Sequence, residues 1–174
     1  MKKIGLLSDT HAFLDGKVFH YFDDCDEVWH AGDFGSLEVV QQLEAFKPLR
    51  GVYGNIDEAA IRAVMPLDLR FECEGLQVMI THIGGYPGRY DPRVRTLLRT
   101  DPPTGGLFIS GHSHILKIMP DTQGSFLHIN PGACGNEGWH KVKTLVRFQI
   151  EAGKIDQLQV IELGNRGPGI KKAG

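Results

Sequence analysis

The stretch Ile4-Gly5-Leu6-Leu7-Ser8-Asp9-Thr10-His11 decides the reading of this chain. A short apolar run without polar alternation describes a strand buried on both faces. It empties into four polar residues, and two of them, Asp9 and His11, are metal-ligand types. The same pattern then recurs downstream. Glu27 to Ala31 leads into Gly32-Asp33, Leu49 to Tyr53 into Gly54-Asn55, and Leu76 to Thr81 into His82. Leu107 to Ile109 leads into Ser110-Gly111-His112-Ser113-His114.

Helical signals separate the early strands. Val18 to Phe22 is a weak helix. Ser36 is placed to N-cap a second one, apolar at Val39, Val40, Leu43 and Phe46. Pro48 closes it, and a third short helix is expected from Asp57 until Pro66 stops it. Glu74-Gly75 joins Leu67–Cys73 to Leu76–Thr81 with the turn chemistry of a hairpin. A loop over Ile83–Gly88 and a helix over Asp91–Arg99 follow. Ile115–Met119, Ser125–Ile129, Val142–Ile150 and Ile155–Ile161 read as antiparallel strands. The organisation is therefore one α/β domain over residues 1–163, with a loose tail over 164–174.

Composition narrows the function. The 174 residues carry a net charge of -2, so no electrostatic footprint for stable nucleic-acid binding is present. No apolar run approaches the roughly 20 residues of a membrane span. Three scattered cysteines, Cys25, Cys73 and Cys134, build neither a disulfide framework nor a zinc ribbon. The reading is a soluble, cytoplasmic protein.

In open α/β sheets, sites lie beyond the carboxyl ends of strands. Asp9, His11, Asp33, Asn55, His82, His112 and His114 all follow apolar runs and are therefore placed to converge on one edge. Singly, each is ordinary: an Asp after a strand is usually a cap or Asx-turn, and Asn55 a turn residue. Together they offer two carboxylates, four imidazoles and an amide oxygen, a set suited to Mn, Fe, Zn, Ni or Co. Residues i and i+2 of an extended segment face one way, which would let Asp9 and His11 grip a single ion. Seven ligands exceed one tetrahedral site, whereas two ions sharing a carboxylate would use them all.

Asp9-Thr10-His11, Gly32-Asp33, Gly54-Asn55, His82 and Gly111-His112-Ser113-His114 stand in the order D-x-H, G-D, G-N, H, G-H-x-H. This arrangement resembles the calcineurin-like metallophosphoesterases, over about Ile4 to Ala133. The short length, the form His30-Ala31-Gly32-Asp33 and the later Asn130-Pro131-Gly132 resemble the small bacterial and archaeal phosphodiesterase branch. The resemblance implies a four-layer α/β/β/α sandwich of two mixed β-sheets flanked by helices. It also implies two divalent metal ions, Mn first among Fe, Zn, Ni, Co and Mg. Asp9, His11 and His114 would hold the first ion, Asn55, His82 and His112 the second, and Asp33 would bridge them. A hydroxide generated between the ions would attack phosphorus in line, with Asp33 and Asn55 counted among the catalytic residues.

One position departs from the family pattern. Where many members have histidine after the G-N pair, and this branch often has cysteine, the chain has Ile56. Isoleucine donates no proton, so activated aryl esters are the expected substrates. Arg89 and His30 are further candidates for contact with substrate, and the Gly84–Arg93 loop for a lid. Arg89 and Arg93 are both of a type to pair with a phosphate, with a solvated face weighed at least equally for each, and His128 shares strand parity with Asn130. The alternatives are a phosphomonoesterase, or an inert interaction scaffold like the retromer subunit that resembles this fold. Family members are often dimers or tetramers, so a homo-oligomer is also expected.

Overall fold

Ile4 and Leu6 of β1 (Lys2–Leu7) pack to one side and Leu7 to the other, all fully buried. A strand covered on both faces needs a layer on each side. The same division recurs in β2 (Glu27–His30), where Trp29 and Val28 face opposite ways, and in β5 (Leu76–Thr81), where Val78 and Ile80 oppose Met79. It holds again in β8 (Leu107–Ile109), with Phe108 opposing Leu107 and Ile109. The computed structural model describes residues 1–138 and 140–166 of the chain.

Two five-stranded mixed sheets face each other. The first joins β1, β2 and β3 (Leu49–Gly51) in parallel, with β11 (Val142–Glu151) and β12 (Lys154–Asn165) added antiparallel beyond β1. The second runs β4 (Asp68–Cys73), β5, β8, β10 (Phe126–Pro131) and β9 (Leu116–Asp121), parallel through its middle and antiparallel at both edges. Trp29 lies between the sheets, edge-on to Phe71 and Phe148 at 5.0 and 5.7 Å. Its Nε1–H donates to Glu27 at 2.9 Å, so the ring is buried without stranding a polar group. The outer face of the first sheet is covered by α1 (Lys17–Tyr21), α2 (Leu37–Phe46) and α3 (Ala59–Arg62), through Val18, Val39, Val40, Leu43 and Ile61. On the second sheet, α4 (Pro92–Thr100) lays Val94 and Leu98 on Met79 and Phe108. The architecture is thus the four-layer α/β/β/α sandwich.

Three expectations need correction. The Ile83–Gly88 loop contributes to a small hairpin of β6 (Gly85–Tyr86) and β7 (Arg89–Tyr90), turned at Gly88 with φ +87°. The strand expected over Ser125–Ile129 instead runs on through Asn130 and Pro131, which pair with Lys117 and Leu116. Gly164 and Asn165 pair with Lys143 and Val142 and so belong to β12, not to a loose tail; residues 167–174 of that tail lie outside the described residues. Among the described residues, no helix is long and apolar enough to cross a membrane.

Candidate metal centre

The parallel strands β1, β2, β3, β5 and β8 all release their chains at one edge, and backbone bonds knit the released loops together. Asp9 and His11 donate to the carbonyls of Gly32 and Asp33 at 2.9 and 3.1 Å, and Gly111 donates to that of His82 at 3.0 Å. Cys134 and Gly135 donate back to Ser8 and Asp9 at 2.9 and 3.1 Å. Asp9, His11, Asp33, His112 and His114 have φ between 49° and 67°, in the left-handed region. A non-glycine residue there costs on the order of 1–3 kcal/mol and persists where its surroundings impose it. Asp9 and His11 therefore meet through a left-handed turn, not through strand alternation.

All seven expected ligands converge. Asp9 Oδ1 lies 3.1 Å from His114 Nε2 and 3.8 Å from His11 Nε2. Asp33 Oδ2 lies 3.1 Å from His82 Nε2 and 3.4 Å from His11 Nε2. Asn55 Oδ1 sits 3.1 Å from His82 Nε2 and 2.9 Å from His112 Nδ1. Two groups of potential ligand atoms, each within 4.8 Å of one another, result: Asp9, His11, Asp33 and His114, and then Asp33, His82 and His112. Asp33 belongs to both.

The donor set fits cations. Asp9 Oδ1 and His11 Nε2 are buried and have no hydrogen-bond partner. Buried polar atoms are nearly always satisfied, so two orphans in one group mark a place for a positive partner. Burial pushes the Asp9 and Asp33 carboxyls up, but their imidazole neighbours more than reverse this and hold both well below the usual carboxylate range. Conversely, burial works against His11, and the Asp33 and Asp9 carboxylates still raise it to about 10. A proton on His11 thus supplies charge that a bound cation would displace.

Neighbouring groups aim the ligands. Ser8 Oγ and the His112 amide donate to Asp9 Oδ2 at 2.5 and 3.2 Å, leaving Oδ1 to the centre. His82 Nδ1–H donates to the Ala31 carbonyl at 2.7 Å, which fixes the tautomer and turns Nε2 inward. No side chain fits at two glycines: a Cβ on Gly54 would stand 2.0 Å from Asp33 Oδ1, and one on Gly32 would stand 2.5 Å from His82 Nδ1. Ile56 is exposed, and its amide donates to Asp33 Oδ1 at 3.1 Å.

Several supporting residues escaped the sequence reading. The buried Asp57, expected only as a helix start, accepts from the amides of Phe34, Gly35 and Gly54 at 3.2, 2.8 and 2.8 Å. It clamps the Gly-Asp loop to the Gly-Asn loop, while the helix itself begins at Ala59. An acidic residue two positions after Gly-Asn was the available signal. Glu137 Oε2 lies 3.3 Å from His11 Nδ1, and Arg166 donates to the carbonyls of Gly135 and Glu137 at 2.6 and 2.7 Å, holding that loop.

Other candidates are redistributed. His30 does not reach substrate: it is fully buried, stacked on Phe34 at 3.7 Å, with Nε2 3.0 Å from Thr10 Oγ1 and Nδ1 accepting from Gly32 at 3.1 Å. Burial lowers it to about 3, so it stays neutral and props the Gly32 turn. Arg93 is committed to Asp68 and Thr81 at 2.6 and 2.8 Å. Asn130 shapes the His112 loop through the Gly111 carbonyl at 2.8 Å. The Cys134 thiol is fully buried, which pushes it up to about 12 and makes it inert. Arg89 is exposed and lines a cavity beside His112.

Comparison with known proteins adds the following. The family model for the calcineurin-like phosphoesterase superfamily domain matches residues 1–153. A probable metallophosphoesterase of Methanothermobacter thermautotrophicus is 33% identical over 140 residues, covering 75% of this chain and 76% of that protein. A solved structure described as a novel archaeal phosphodiesterase superposes with a TM-score of 0.73 at 25% identity, covering 92% of this chain and 99% of its own. Vps29 of Entamoeba histolytica, solved in complex with zinc, superposes with a TM-score of 0.70 at 13% identity, covering 92% and 98%.

Proposed function

The chain belongs to the calcineurin-like phosphoesterase superfamily, and from that premise we propose that it is a metal-dependent phosphodiesterase acting on small phosphoesters. The observation that carries the reading is the pair of overlapping ligand groups that share Asp33. Asp9, His11 and His114 would hold one divalent cation, Asn55, His82 and His112 the second, with Asp33 common to both. The nitrogen and oxygen donors suit Mn, and equally Fe, Zn, Ni, Co or Mg. When bound, such a pair lowers the pKa of a water into the neutral range and neutralises charge on the phosphoryl oxygens.

The rest falls to the chain's own residues. Ser8 and the His112 amide fix the Asp9 carboxylate, and the Ala31 carbonyl fixes the ring of His82. These bonds hold the ligand atoms in place before substrate arrives. Asn55 and His112 lie on the open side of the centre, where a phosphoryl oxygen would approach. Ile56 offers no proton to a departing alkoxide, so the leaving group must carry its own charge. Esters of acidic phenols meet that demand.

The experiment is hydrolysis of bis(p-nitrophenyl) phosphate and of p-nitrophenyl phosphate by protein loaded with Mn. The diester is expected to turn over faster than the monoester, and a chelator to abolish both rates. A faster monoester would make the protein a phosphomonoesterase, and a folded, metal-loaded protein inert on both esters would remove the hydrolytic reading. The likeness to Vps29 is one of fold, and fold alone assigns no function.

A further inference from the structure

A cavity of about 280 Å³ opens beside the candidate centre, bounded by His112 on one side and by the β6–β7 hairpin on the other. It lies just below the roughly 300–1,000 Å³ of pockets that enclose a whole drug-sized ligand, so it suits one part of a substrate. Ile83 and Ile115 supply apolar wall, and Tyr86 an aromatic ring. Lys117 Nζ sits 3.5 Å over the centre of that ring. Among the described residues, neither Lys117 nor Arg89, which also lines the cavity, is paired with a carboxylate, whereas neighbouring Arg93 is bound to Asp68. Asp91, the one acid on the cavity wall, spends its carboxylate on the amides of Arg93 and Val94 at the start of α4. At the cavity's edge, buried His128 keeps Nε2 against Ser110 Oγ at 3.0 Å and leaves Nδ1 with no protein partner.

An apolar slot with an aromatic wall, two uncompensated cations and an unpartnered ring nitrogen suits a particular chemistry. Apolar walls favour a flat ring, the lysine and arginine favour an added anion, and the ring nitrogen favours a polar heterocycle over a plain phenyl group. We propose that this cavity is the subsite for one ester arm of the substrate, and that the arm is a phosphorylated nucleoside. The scissile phosphoester would lie at the metal centre, with the second phosphate between Lys117 and Arg89. The inference rests on the phosphodiesterase reading for its meaning, but the subsite is built from residues outside the ligand set.

Calorimetric titration of metal-free protein tests it with three probes: adenosine 5′-monophosphate, adenosine and inorganic phosphate. The nucleotide is expected to bind about tenfold or more tightly than either fragment, the scale of one charge-assisted contact. Lys117→Ala and Arg89→Ala should each weaken the nucleotide about tenfold and leave adenosine unchanged. Tyr86→Ala should weaken both, and Tyr86→Phe, which keeps the ring and the packing, should weaken neither. No nucleotide binding, phosphate binding as tightly as the nucleotide, or nucleotide affinity indifferent to Lys117 and Arg89 would each overturn the subsite. Nucleotide binding by a protein that hydrolyses no ester would uphold the subsite and remove the reaction. Hydrolysis without nucleotide binding would do the reverse.

Discussion

Replacing Asp57 tests whether the centre is held together in the way described. Its carboxylate joins two loops: Oδ2 accepts from Phe34 and Gly54, and Oδ1 from Gly35. In Asp57→Ala all three amides lose their acceptor, and those of Phe34 and Gly54 are in buried bonds. A buried donor left unpaired costs about 1–3 kcal/mol, while relief from burying the carboxylate offsets part of the sum. A net loss of about 3 kcal/mol follows. In a chain of this size that is about 6–12 °C in Tm. Asp57→Asn is milder, because its single oxygen can take the two buried bonds and lose only that from the half-buried Gly35. The cost falls to about 1 kcal/mol, or about 2–4 °C. Scanning calorimetry of the metal-free protein reads both values. An Asp57→Ala protein that unfolds within about 1 °C of the native one, or an Asn variant worse than the Ala variant, would refute the clamp.

Three further outcomes follow from named contacts. Gly54→Ala places a methyl group 2.0 Å from Asp33 Oδ1, so Mn binding measured by calorimetry should fall by at least about tenfold while the circular dichroism spectrum keeps its native shape. Glu137→Gln removes the carboxylate 3.3 Å from His11 Nδ1, and Mn affinity should drop about tenfold, the low end for an outer-shell partner on an exposed loop. Acid should weaken the fold through Glu27. Burial raises its carboxyl, but bonds from Arg50, Lys2 and Trp29 bring it down to about 2 from 4.5. A depressed carboxylate stabilises above its unfolded value, so its contribution is complete above pH 4.5 and is lost as pH falls toward 2. In Glu27→Gln the urea midpoint should change less than that of the native protein across this window.

What the sequence discloses here and what it hides have physical causes. Apolar runs at Ile4, Val78 and Leu107 are dense because their strands are buried on both faces, and that density is visible in one dimension. The ligands are legible for a related reason, since each ends such a run. The left-handed backbone at Asp9, His11 and Asp33 is not legible, because it is imposed by partners elsewhere in the chain, such as the Gly32 carbonyl and the amide of Gly135. Arg166 acts across 24–33 residues, and no local pattern marks such a reach, whereas Asp57, acting across 22–23, is marked only by its place two positions after Gly54-Asn55. His30 looks available from its place beside Asp33, but strand pairing turns it into the core, against Phe34. The β6–β7 hairpin has two-residue strands, too short for any periodicity to register.

The central claim is that two cations share Asp33. Anomalous diffraction from crystals soaked in Mn tests it most directly. The account predicts two peaks about 3.5–4 Å apart, one near Asp9, His11 and His114, the other near Asn55, His82 and His112, with Asp33 between them. A single peak, or peaks away from Asp33, would contradict it.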